Sequence, residues 1–233
     1  MNSMTMRQTQ VQVRVNSFVR SVYNWMAIGL ALTGFIAYAV ANMPEVRNVI
    51  FGSGIVFFGL IIAQLALVFI ISSRIYRMQA GTATALFIVY SALNGATLSS
   101  IFLAYAQSTI TSTFFVCSAT FVACSIYGWT TRRDLTSMGG FLTMGLIGIV
   151  IASLVNLFIQ SSAVSSIVSY IGVLVFVGLT AYDTQIIKRW GQEIADQAGE
   201  ADFIRLSILG ALKLYLDFIN LFLFFLRIVG RRR

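Results

Sequence analysis

Two aspartates, Asp183 and Asp217, sit inside long apolar runs, in Ala181-Tyr182-Asp183-Thr184-Gln185 and Tyr215-Leu216-Asp217-Phe218-Ile219. A charge in such a run is costly and marks a functional candidate by default. Two close carboxyls in apolar surroundings do not both ionise cheaply, and they titrate as a unit. A pair that shares a proton is a switch near neutral pH. Fully ionised, the same pair is an oxygen-rich cation site suited to Ca2+. Lys213 precedes Asp217 by one helical turn, and Arg74 closes an earlier apolar run. Either cation can instead neutralise an aspartate and simply fix packing. Gln64 and Asn94 are neutral polar residues deep in two further runs, candidates for lining a polar path.

Enzyme chemistry finds little support, and no catalytic residue is expected. The chain has no His, which removes the imidazole switch, the HExxH zinc site and the Ser-His-Asp triad. Paired aspartates activate water in aspartyl proteases, but neither aspartate lies in a GxGD-type motif. Cys117 and Cys124 are seven residues apart in one run, about 10 Å of helical rise, which is too far for a disulfide. They read as packing residues. No cofactor is expected; Ca2+ enters only as a transported ion.

The elements that carry these residues follow from composition. Of 233 residues, 58% are hydrophobic and 10% charged, against about 25% charged in soluble domains. A soluble core of this size does not hide so much apolar surface. The net charge of +8 does not point to nucleic acid, because the cations cluster between apolar runs and therefore report topology. A membrane-spanning helix needs about 20 mostly apolar residues. Seven runs qualify, at about 22–43, 51–73, 82–106, 110–129, 138–159, 163–187 and 206–227. They are too long, and too lacking in period-two alternation, for barrel strands.

The expected fold is therefore an all-α, polytopic seven-helix transmembrane bundle in a lipid bilayer. Its expected organisation is a cytoplasmic tail over 1–20, a transmembrane domain over 21–230 and a basic end over 231–233. An N-terminus inside places ten Lys or Arg on the cytoplasmic side and only Arg47 opposite, as the positive-inside rule asks. Seven full spans, the preferred reading, leave the terminal arginines on the other side, in conflict with that rule, whereas a last segment that re-enters puts them inside. Ser91, Gly95 and Ser99, with Ala92, Ala96 and Ser100 beside them, form small-residue ridges that let helices approach closely. The acidic stretch from Glu193 to Asp202 reads as a solvated loop.

Gly178-Leu179-Thr180-Ala181-Tyr182-Asp183-Thr184-Gln185 and Leu216-Asp217-Phe218-Ile219-Asn220-Leu221-Phe222 resemble the two signatures of the Bax inhibitor family, the transmembrane Bax-inhibitor-motif proteins. Tyr127-Gly128 leading to Arg132-Arg133-Asp134-Leu135, and Val155-Asn156-Leu157-Phe158, are similar to further family blocks. The resemblance covers about residues 20–230, and the bacterial inner-membrane subgroup fits best. It implies a seven-helix bundle with the last helix central, in which Asp183 and Asp217 form a pH-sensing pair that gates a Ca2+ leak. It implies that Arg74 contacts the pair in the closed form. Many members carry a glutamate where this chain has Gln64, a departure that removes one charge from the implied path. The resemblance also admits a second role, a non-transporting regulator of a membrane-anchored ATP-dependent protease or of a stress response. The 1–20 tail would then be the handle.

Overall fold

The computed structural model describes residues 2–195 and 199–230. The basic end at 231–233 lies outside the described residues, as does Asp196 of the acidic stretch. The described elements are all helices: α1 (Asn2–Ala41), α2 (Pro44–Gly52), α3 (Gly54–Arg74), α4 (Ala80–Leu98), α5 (Ser100–Ala104), α6 (Gln107–Thr130), α7 (Thr136–Ile159), α8 (Ser162–Ala195) and α9 (Glu200–Val229). A 3-10 turn at Ile75–Arg77 follows α3. Among the described residues, seven helices are long and apolar enough to cross a membrane, over Thr9–Ala41, Gly54–Arg77, Ala80–Ala104, Gln107–Thr130, Thr136–Ile159, Ser162–Ile194 and Glu200–Val229. The last is the most buried of the seven.

Several segments read as loops are helical. Pro44 opens the short helix α2, where its fixed φ and missing N–H cost nothing. Glu193 belongs to α8, while Glu200 and Asp202 form the first turn of α9, the end at which negative charge is favoured. The segment expected as a tail is the start of α1, which runs unbroken into the first span.

The chain divides into two compact units, one of residues 1–104 with 187–215, the other of 105–186 with 216–233. In the first unit α1 carries a buried stripe of Val15, Phe18 and Val22. Phe18 meets Phe203 of α9 edge-on at 5.5 Å, and Gly191 of α8 gives both Val15 and Phe18 their room. The Ser91–Gly95 ridge of α4 lies on α1. A Cβ at Gly95 would stand 2.7 Å from the Thr33 carbonyl oxygen, so that glycine sets how near the two backbones come.

In the second unit, glycines again set the helix spacing. A Cβ on Gly128 of α6 would run into the Ala181 carbonyl of α8. Gly139 of α7 faces the Tyr182 ring, and Gly178 of α8 faces Leu142. Phe218 of α9 takes edge contacts from Phe114 at 5.6 Å and Phe121 at 5.4 Å, both on α6. Phe224 packs on Phe176 at 5.8 Å and over Gly172, both on α8.

Candidate functional site

The register of α8 on α9 in the second unit places the two aspartates. Phe224 sits between Gly172 and Phe176, so the level of Phe224 corresponds to about residue 174 of α8. Asp183 lies nine residues further along α8, and Asp217 lies seven residues back along the antiparallel α9. At 1.5 Å per residue the two fall within about 3 Å of the same height. Facing follows from helical periodicity. Asp183 is seven residues from Phe176, and Asp217 is seven from Phe224. That spacing is two turns, so each aspartate shares the face that carries the α8–α9 contact.

Both side chains are buried, Asp183 at 5% and Asp217 at 4% exposure, and neither is without a partner. Their surroundings are fixed by the same helices. Thr180, Thr184 and Gln185 are buried beside Asp183. Gln185 holds the α6–α7 connection: its Oε1 accepts the Leu135 N–H at 2.8 Å, and its Nε2 donates to the Arg133 carbonyl at 2.9 Å. On α9, Asn220 donates to the Leu216 carbonyl at 2.8 Å, and the Cys117 thiol points at the Phe218 carbonyl at 3.7 Å. Two carboxyls so placed compete for protons and offer oxygens to a cation. Among the described residues no group of three or more His, Cys, Asp or Glu gathers.

The other residues singled out in the sequence lie in the first unit. Arg74 ends α3 and is exposed. Lys213 is half-buried, one turn before Asp217 in α9. Gln64 joins α3 to α4, its Nε2 donating to the Leu93 carbonyl and to Thr97 Oγ1, both at 3.2 Å. Asn94 is buried and donates to the Tyr90 hydroxyl at 3.3 Å. Gln64 thus joins two helices, the ordinary use of an amide between spans, whereas the Asn94 bond stays within α4.

Sequence reading missed a buried polar node in the same unit. Thr33 Oγ1 donates to the Ser91 carbonyl at 2.9 Å and meets the Tyr215 hydroxyl at 2.6 Å. Thr33 has one proton and spends it on Ser91, so Tyr215 is the donor in the second bond. The Tyr215 ring is boxed by Phe87 at 5.9 Å and Tyr90 at 5.6 Å. Arg205 was also missed. Its Nη1 donates to the Tyr76 and Met78 carbonyls at 3.1 and 3.2 Å, and its Nη2 pairs with Asp202 at 2.8 Å. It ties the start of α9 to the α3–α4 corner. A lone Arg next to an acidic stretch gave no signal of this, because the acceptors are backbone carbonyls.

Known proteins bear on this arrangement. The family described as "Inhibitor of apoptosis-promoting Bax1" matches residues 15–233. Inner membrane protein YbhL of Escherichia coli is 52% identical over 96% of this chain and 95% of its own. An uncharacterized protein of Borreliella burgdorferi is 43% identical over 100% of this chain and 99% of its own. Uncharacterized protein RP147 of Rickettsia prowazekii is 46% identical over 93% and 90% respectively.

Proposed function

The chain belongs to the Bax inhibitor family, and from that premise we propose that it is a pH-sensitive Ca2+ leak gated by Asp183 and Asp217. The observation that carries this reading is the level placement of two buried carboxyls on facing stripes of α8 and α9. While the pair holds one proton it is a singly charged, hydrogen-bonded unit that fastens α8 to α9. When that proton leaves, two like charges face each other in apolar surroundings. They then separate or take up a cation. Movement of the last helix then opens the path. Two carboxylates are few ligands for Ca2+, which suits an ion in transit, because conduction requires binding weak enough to release.

The Escherichia coli relative is an inner membrane protein by name. We place this chain likewise, as a multi-pass protein of the bacterial inner membrane with its N-terminus cytoplasmic. The test is Ca2+ flux into liposomes holding the purified protein, from pH 6 to pH 8, beside the Asp183→Asn, Asp217→Asn double variant. Flux should rise with pH in the parent chain and lose that dependence in the variant. No flux above empty liposomes at any pH would overturn the leak and favour a non-transporting regulator of a membrane-anchored protease.

A further inference from the structure

We propose that the second unit binds one anionic phospholipid in a groove where α6, α7 and α8 meet, with an acyl chain in the groove and the phosphate against Arg132 and Arg133. The groove is a cavity of 380 Å³, within the range of about 300–1,000 Å³ usual for small-molecule sites. Every residue lining it comes from the second unit.

The α6–α7 connection fixes one end of the groove. Gln185 of α8 holds that connection through the Leu135 N–H at 2.8 Å and the Arg133 carbonyl at 2.9 Å. The Arg133 N–H in turn bonds to Thr131 Oγ1 at 3.2 Å. α6 and α8 therefore both run toward this corner, and α7 runs away from it. That gives the groove a direction. Ala123, Leu142 and Val177 line its far end, and Tyr127, Leu135 and Tyr182 line the end at the corner. Leu142 packs on Gly178 at the far end, and Tyr182 packs on Gly139 nearer the corner.

The far end is apolar. The corner end carries the hydroxyls of Tyr127 and Tyr182, and neither has a partner among the described residues. Tyrosines are favoured at the headgroup level, where one end of the ring is apolar and the other wet. Beyond them Arg132 and Arg133 are exposed, and neither side chain has a partner among the described residues. Both lie within three residues of Leu135, at most about 11 Å of extended chain, so their guanidinium groups reach the mouth of the groove. Asp134, next in the chain, is turned to the start of α7, where its Oδ1 accepts the Thr136 N–H at 2.8 Å. An apolar trough, then hydroxyls, then two cations is the order of acyl chain, ester oxygens and phosphate in a phospholipid. Charge selects the headgroup: arginine forks match phosphate oxygens, whereas a zwitterionic headgroup adds a cation that they repel. The inference stands whether or not the chain conducts ions.

Thermal unfolding of the full chain in detergent tests it, with short-chain phosphatidylglycerol, short-chain phosphatidylcholine and inorganic phosphate as probes. Phosphatidylglycerol should raise the unfolding temperature more than either of the others. The Arg132→Gln, Arg133→Gln double variant should raise its half-saturating concentration roughly tenfold or more, the worth of two arginines at an anionic lipid. Ala123→Trp fills the far end of the groove and should weaken binding with both arginines in place. Arg77→Gln removes a cation from the α3–α4 corner and should respond as the parent does. All four positions are exposed, so these variants keep the core intact. The proposal is overturned by no shift with phosphatidylglycerol, or by an equal shift with phosphatidylcholine or inorganic phosphate. It is also overturned if the double variant or Ala123→Trp binds as the parent does, or if Arg77→Gln weakens binding as much as the double variant.

Discussion

The ring of Phe224 occupies the place where a side chain at Gly172 would stand, with ring carbons 2.7 Å from the position of its Cβ. This contact sets the register that levels Asp183 with Asp217. Gly172→Ala should therefore push the ring away and cost about 1–3 kcal/mol, the usual penalty of overpacking. Thermal unfolding in detergent reads the loss. If the register matters to gating, the same variant should also shift the pH response of Ca2+ flux.

Two glycines of the second unit should respond with opposite sign. A Cβ at Gly128 meets the Ala181 backbone carbonyl, whereas a Cβ at Gly148 meets nothing within 4 Å. Backbone cannot rotate aside as a side chain can, so Gly128→Ala should lower the unfolding temperature. Gly148→Ala keeps its helical conformation and should raise it slightly, by about 0.4–1 kcal/mol. Equal effects would show that helix spacing at Gly128 is not limiting.

The seven spans were legible because length and apolarity alone mark them, and the structure moves most of their ends by a few residues. The largest difference is at α1, where polar residues hid a helix start. The signal was present in Val15, Phe18 and Val22, spaced three and four apart, which is a helical stripe facing a partner. The aspartates stood out by type, but their level needed the Phe224 contact, which no local pattern contains. Gln64 and Asn94 also stood out by type. Their polarity marked them, and the bond that carries Gln64 to Leu93 of α4 needed the fold. The Thr33–Tyr215 bond joins residues 182 positions apart, beyond the reach of any sequence spacing.

That bond predicts an asymmetry between two single variants. Tyr215→Phe removes the donor and leaves Thr33 still bonded to the Ser91 carbonyl, so it should cost about 0.5–1.5 kcal/mol. Thr33→Val strands the buried Tyr215 hydroxyl without its acceptor and should cost more, about 1–3 kcal/mol. Unfolding midpoints of the two variants and their double variant measure the coupling directly.

The central claim is that Asp183 and Asp217 hold one proton between them and release it as pH rises. Infrared difference spectra of the protein in lipid, taken from pH 6 to pH 8, test it most directly. Protonated and ionised carboxyls absorb at separate frequencies, and the aspartate variants identify which signal belongs to the pair. The account predicts one protonated carboxyl per molecule that disappears as pH rises. Its signal should be altered by Asp183→Asn and by Asp217→Asn alike, because the pair titrates as a unit. No carboxyl signal in the parent chain, or one that either single variant leaves untouched, would contradict it.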